Sequence, residues 1–417
     1  MSEHRFHDRS SRAKQSIQYM PLPQPRPGRR AALAAATLMM FSIGTLFAWS
    51  VFVDPLQNLF GQSRAAVSAV FSIATAGYML GLLAGALLRR RYDRPVLAAL
   101  TFLLASCGIG LSGLWSSLWA VWIGFGALFG IANGIGYALS LETAQDAMPH
   151  RPGLATGFAV TSYTVGSLIA APLFGWGIAH VGPLSTLRAT GVLMVPIGVA
   201  VVAMLLASAS ARDVNHRVPM EPGRRTASLF WLLWSGVLFS SLTGLLVLGH
   251  AAAIAQSVGQ SAELSAFTVS LVAASSCAGR LAGGWAGDKG SPTRQASLLQ
   301  ILGGAGVLLV AVLPDPAMAA AGLALAAVGY GWMASAYPII VTKLYGIESL
   351  TIVYSRINTA WGIAGIAASY AGGFLFDMFG SYRLALALAA ASAVCAAISL
   401  GLVKIARTGP ETGNELS

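Results

Sequence analysis

A succession of apolar runs, each long enough to cross a bilayer, constrains this chain more than any single motif does. A helix needs about 20 apolar residues to span the hydrocarbon core of a membrane. That ruler gives six runs at roughly 31–54, 63–88, 96–114, 118–142, 154–179 and 187–210. Six more follow at roughly 228–256, 264–287, 295–313, 318–341, 355–376 and 383–404. The stretch 211–227 carries Arg212, Asp213, Arg217, Glu221, Arg224 and Arg225, and reads as a linker between two sets of six. The expected fold is an all-α membrane protein with twelve transmembrane helices in two six-helix halves, 31–210 and 228–404. Tails are expected at 1–30 and 405–417, the first disordered because of its prolines and serines.

Composition excludes the main alternatives. Charged residues make up only 10% of the chain, too few to coat several water-facing domains, in which about 25% is typical. The cysteines, Cys107, Cys277 and Cys395, sit in separate apolar runs, which rules out a disulfide framework and zinc-type spacing. A net charge of +11 raises the question of nucleic acid, and the placement of the basic residues answers it. Of the 26 lysines and arginines, 21 fall in the tails, the linker and the loops of one side, against Arg64, Arg188 and Arg383 on the other. The positive-inside rule then puts both termini in the cytoplasm of a multi-pass inner (plasma) membrane protein. The lipid bilayer accounts for the charge, and no nucleic-acid partner is needed.

The two sets are related by a repeat. The first and seventh helices begin 197 residues apart, near Ala31 and Ser228, and the loops at Arg90 and Asp288 are offset by 198. The second of these loops reads Gly284-Trp285-Ala286-Gly287-Asp288-Lys289, with Arg294 beyond it. Such a turn lets two helices approach while the acid and bases latch helix ends. It resembles the signature loop of the major facilitator superfamily. In the first half the corresponding Gly85 to Arg94 has an arginine where the acid would stand, so an altered or absent latch is expected there. Further matches are Gly44 to Val51, Gly153 to Phe158 with Tyr163, Phe230 to Trp234, and Thr359 to Gly365. Taken together they resemble the oxalate/formate antiporter family and the related monocarboxylate transporters.

Arg280 is the most informative residue. It precedes Asp288 by eight positions, about 12 Å of helix, which places it near the middle third of the membrane. A charge there is costly and usually faces a cavity or a partner. No Asp or Glu lies in a helix interior to neutralise it, so a substrate carboxylate, bound bidentately, is the expected counter-ion. Snorkelling to the cytoplasmic face, or capping backbone carbonyls, is the alternative. The resemblance implies the same substrate role, because the family's eighth-helix arginine aligns here.

The resemblance also implies that Tyr137, Tyr163, Tyr330 and Trp361 line the cavity, with Asn358 and Trp332 as further lining candidates. Phe47 stands where an oxalate carrier has a tyrosine. Ala364 stands where oxalate exchangers carry a lysine, which favours a monocarboxylate such as lactate, pyruvate or formate over oxalate. Ser276 lies one helical turn from Arg280 and offers a hydroxyl, where proton-coupled animal carriers have an aspartate. His250, in the outer half of the seventh run, is a candidate proton acceptor or interhelical hydrogen-bond partner. Gly284, Asp288, Lys289 and Arg294 are the expected conformational loop. Glu142 and Asp146 read as helix-end ion pairs. Trp115, Trp119 and Trp122 read as an interfacial belt.

No phosphate-binding loop, metal cluster or nucleophile triad is present, so neither an enzyme nor a cofactor is expected. A secondary carrier acting as a monomer is expected, with a small carboxylate as its partner and a proton as a candidate second one. Two rivals are an exporter of lipophilic cations or drugs, which calls for an acid in the cavity, and a non-transporting membrane sensor, which calls for an appended soluble signalling domain.

Overall fold

The computed structural model describes residues 28–208 and 226–407. The expected tails and linker lie outside these residues except at their edges, where helices begin at Arg29 and Thr226 and end at Arg407. Twelve helical rods are present among the described residues. In the first half, α1 is Arg29–Ile43, continued through a tightened turn Gly44–Trp49 into Ser50–Phe60. It is followed by α2 (Arg64–Leu88), α3 (Arg94–Leu114) and α4, which comprises Leu118–Val121, a π-helical stretch Trp122–Phe129 and Gly130–Ala147. Helices α5 (Pro152–Val181) and α6 (Pro183–Ser208) complete this half.

The second half contains α7 (Thr226–Ser257), α8 (Ala262–Lys289), α9 (Pro292–Val312) and α10 (Pro316–Tyr345). Helix α11 is interrupted, Leu350–Ile357 then Thr359–Phe379, and α12 is Arg383–Arg407. Eleven rods are long and apolar enough to cross a membrane. The twelfth rod, α8, is also of spanning length and carries Arg280, Asp288 and Lys289.

Packing follows the repeat. The pairs α1–α4, α1–α5, α2–α4 and α3–α6 recur six helices later as α7–α10, α7–α11, α8–α10 and α9–α12. The halves meet along α5–α8 and its pseudo-equivalent α2–α11. Large apolar side chains such as Leu80, Leu168, Val192 and Tyr370 point outward from the bundle, as the surface of a protein solvated by lipid requires. Trp115 and Trp119 are exposed at the loop between α3 and α4, where a belt belongs.

Two helix irregularities shape the interior. Asn133 of α4 donates to the carbonyl of Ile43 at 2.5 Å, at the point where α1 tightens. Gly44 there lies against the backbone carbonyl of Tyr163, leaving no room for a Cβ. In α11 the interruption falls at Asn358.

The candidate substrate site and its gate

Gly331 of α10 packs on the backbone of Ser276, and Gly279 of α8 packs on Val328. This close α8–α10 contact fixes the stretch of α8 that carries Arg280. Arg280 is only 4% exposed, so it does not snorkel. Its Nη1 donates to the carbonyl of Val160 on α5 at 3.2 Å, and its Nε has no hydrogen-bond partner among the described residues. No carboxylate pairs with it among the described residues. The guanidinium carbon lies 5.8 Å from the centroid of the Tyr330 ring. A buried guanidinium left in this condition is destabilised by several kcal/mol, which an anion would offset.

Arg280 faces a cavity of about 40 Å³ between the halves. This exceeds the roughly 10–15 Å³ that a single water needs, so a small ligand has room there. The first half contributes Phe47, Tyr78, Tyr137 and Tyr163; the second contributes Val237, Tyr330, Met333, Ala334, Tyr337, Tyr354, Asn358 and Trp361 besides Arg280. The aromatic rings touch one another: Tyr78–Tyr137 and Tyr137–Tyr163 at 5.7 Å, Tyr78–Trp361 and Phe47–Tyr163 at 5.2 Å. Several polar atoms are already engaged. Tyr163 donates to Asn133 at 3.2 Å, Trp361 donates to Tyr330 at 2.9 Å, and Asn358 donates to Tyr78 at 2.8 Å.

The structure thus brings Arg280, Tyr137, Tyr163, Tyr330, Trp361 and Asn358 to one cavity. Three other candidates are placed elsewhere. Ser276 is buried in the α8–α10 seam, where α10 covers the face it shares with Arg280. Trp332 packs over Gly283 in the same seam. His250 lies 3.3 Å from the hydroxyl of Tyr382, at the loop between α11 and α12, and is separated from the cavity along α7. The substitution His250→Gln is therefore expected to leave both the rate of uptake and its pH dependence unchanged, as measured by proteoliposome uptake between pH 5.5 and 8.

Tyr78, Tyr337 and Tyr354 were not anticipated. Only Tyr78 carried a sequence signal, as a tyrosine far from either end of its apolar run; Tyr337 lies near the end of the run 318–341 and Tyr354 just before the run 355–376.

The cavity is closed at the end of the bundle that carries the α2–α3, α4–α5 and α8–α9 loops. Asp288 accepts the backbone N–H groups of Gly153 at 2.7 Å and Leu154 at 2.9 Å, so one carboxylate satisfies two free donors at the start of α5. Gly153 and Gly157 meet Gly284 backbone to backbone, without space for a side chain. Lys343 donates to the carbonyl of Gly287 at 2.8 Å, and Lys289 lies 3.6 Å over the ring of Trp285. Of the expected loop, Arg294 lies in the first turn of α9, where its backbone N–H donates to the hydroxyl of Ser291 at 3.4 Å.

The first half lacks the loop acid, and its gate is built differently. Arg89 and Arg94 both pair with Glu142 of α4, at 3.0 and 3.1 Å, and Arg94 also pairs with Asp146 at 2.8 Å. Glu142 in turn accepts the hydroxyl of Thr351 at the start of α11. Under the offset of 198, Thr351 corresponds to Gly153, so an acid still meets the start of the pseudo-equivalent helix, but it comes from α4. Thr342 adds a further bond across the halves, to Gln145 at 2.6 Å. The side chains of Asp54 and Arg64, which flank the first loop at the other end, lie outside the described residues.

Comparison with known proteins agrees with this architecture. The chain is 26% identical over 349 residues to the uncharacterised MFS-type transporter YhjX of Escherichia coli, covering 81% of this chain and 86% of that protein. It is 27% identical over 387 residues to monocarboxylate transporter 13 of Bos taurus, covering 87% and 86%. It is 25% identical over 256 residues to the oxalate:formate antiporter of Oxalobacter formigenes, covering 57% and 58%. Among solved structures, a bacterial homologue of the iron transporter ferroportin superposes with a TM-score of 0.70 at 16% identity, over 90% of this chain and 99% of that one. The fucose transporter FucP of the same fold superposes with a TM-score of 0.64 at 16% identity, over 89% and 98%. The model of the Major Facilitator Superfamily matches residues 32–369 and 233–417. With its twelve rods, repeated halves and central cavity, the chain is a multi-pass membrane transporter rather than an enzyme, and it belongs to the Major Facilitator Superfamily.

Proposed function

We propose that the protein moves a small carboxylate anion across the membrane by alternating access, with Arg280 pairing with the carboxylate. The observation that carries this reading is the buried guanidinium of Arg280, facing a small cavity with no carboxylate among the described residues to neutralise it. An anion that enters the cavity supplies the missing charge, and the neutral pair then permits the halves to rock past one another. The absence of an acid among the cavity-lining residues is what separates this reading from export of a lipophilic cation.

A monocarboxylate such as lactate, pyruvate or formate is favoured over oxalate. The described lining holds a single cation, and Ala364, where a second would stand, is fully buried and outside the lining. The second carboxylate of a dianion would be desolvated without a fixed counter-charge. The two halves of a single chain build the whole site, so a monomer suffices. The basic loops point to the cytoplasm of the plasma membrane, with both termini on that side.

Uptake of radiolabelled lactate, pyruvate, formate and oxalate into proteoliposomes tests the reading, with and without a pH gradient and with each anion preloaded. Uptake of a monocarboxylate is expected, and its response to the gradient or to preloading separates proton symport from exchange. Oxalate exchange alone would contradict the single-cation argument.

A further inference from the structure

The interruption of α11 puts two hydrogen-bond donors within one turn, Asn358 at the break and Trp361 three residues on, and both are spent on tyrosine hydroxyls. An indole N–H can only donate. In the 2.9 Å bond from Trp361, the oxygen of Tyr330 is therefore the acceptor, and the hydroxyl proton must point elsewhere. The amide of Asn358 likewise donates to the oxygen of Tyr78 at 2.8 Å. Both hydroxyls are left with a proton to give. Both tyrosines line the cavity that holds Arg280, Tyr78 from α2 of the first half and Tyr330 from α10 of the second.

We propose that the hydroxyl protons of Tyr78 and Tyr330 complete the anion site around Arg280, and that Asn358 and Trp361 are positioning residues acting through them. This deepens the carboxylate reading and rests on it. A carboxylate presents about four lone-pair sites, of which a guanidinium fork fills two, leaving two for hydroxyl donors. A lone tyrosine hydroxyl can rotate and turn its oxygen towards the anion. With that oxygen already occupied by an N–H group, the hydroxyl is held as a donor.

Because the Asn358–Tyr78 bond joins the two halves, it depends on their apposition around the cavity. The Tyr78 donor is thus set by the closed gate, which α11 also reaches through Thr351, whereas the Tyr330 donor is set within the second half.

The test is a double-mutant cycle on uptake by the full chain in proteoliposomes. The probe is whichever of lactate, pyruvate, formate or oxalate is taken up fastest. Tyr330→Phe and Trp361→Phe should each raise KM about tenfold or more with kcat little changed, because the first removes a charge-assisted donor and the second releases it from its orientation. The double variant should be no worse than the worse single one. Tyr78→Phe should raise KM similarly, and Asn358→Leu added to it should cost nothing more. Multiplying effects in the Trp361–Tyr330 cycle would show that Trp361 meets the substrate itself and would overturn the proposal, as would an unchanged KM in Tyr330→Phe. Arg280→Gln is run in parallel. Loss of uptake there, with multiplying effects in the cycle, would sink only the positioning inference; full uptake there would sink the carboxylate reading as well.

Discussion

Arg280→Gln should abolish carboxylate uptake, lowering kcat/KM by about a hundredfold or more, while the protein remains in the membrane in normal amount. Truncating one partner of a buried charge pair costs about 2–5 kcal/mol, much of it from the charge left unpaired. The same substitution should leave the thermal stability of the substrate-free protein unchanged or raised. In that state the guanidinium is already buried without a carboxylate partner, so its removal relieves a desolvation penalty. A residue that serves packing or helix capping would behave in the opposite way, losing stability along with activity. Arg280→Lys should retain the charge but lose the fork, and with it most of the affinity, because an ammonium cannot bind a carboxylate bidentately. Full uptake by the glutamine variant would remove Arg280 from the site.

Asp288→Asn should shift the protein away from the state closed at the basic-loop end by about 10- to 100-fold. The carboxylate accepts two N–H groups at the start of α5, at 2.7 and 2.9 Å. Hydrogen bonds to a charged group contribute about 1.5–3 kcal/mol each, and the helix dipole adds to them. An asparagine offers one acceptor oxygen, so one N–H loses its partner and the charge is gone. Alkylation of a cysteine placed at Ala334, in a variant without the native cysteines, reads the change. A membrane-impermeant reagent applied from the basic-loop side should react faster in Asp288→Asn than in the parent. Equal rates would mean that Asp288 does not hold the gate.

The fold was legible in the sequence because length and hydropathy are the properties the bilayer acts on. The runs at roughly 31–54 and 318–341 proved longer as helices, because polar residues extend them past the apolar stretch. Helix α8 was legible in the same way, as the apolar run at roughly 264–287, and it extends past that run to Lys289. Arg280 was legible because an unneutralised charge in an apolar run has few bland explanations.

What failed was judgement of faces. Ser276 shares the face of Arg280 by spacing, but α10 lies on that part of it. Tyr78 sits in a run where packing and lining residues look alike, Tyr354 lies just before one, and only the approach of the two halves marks them as lining. The first-half latch was read as altered or absent from its missing acid. Its replacement by Glu142, 53 positions from Arg89, depends on contacts between separate helices that periodicity does not report.

Equilibrium binding to purified protein tests the role of Arg280 more directly than transport does, because it does not depend on direction or coupling. The thermal unfolding midpoint would be followed against rising lactate, pyruvate and formate, with lactamide as the neutral counterpart of lactate. At least one of the three anions should raise the midpoint in the wild-type protein with a saturable dependence, as a ligand of the native state must. Lactamide should not, and Arg280→Gln should respond to none of them. An equal shift in Arg280→Gln, or an equal response to lactate and lactamide, would show that the carboxylate charge is not what the site recognises.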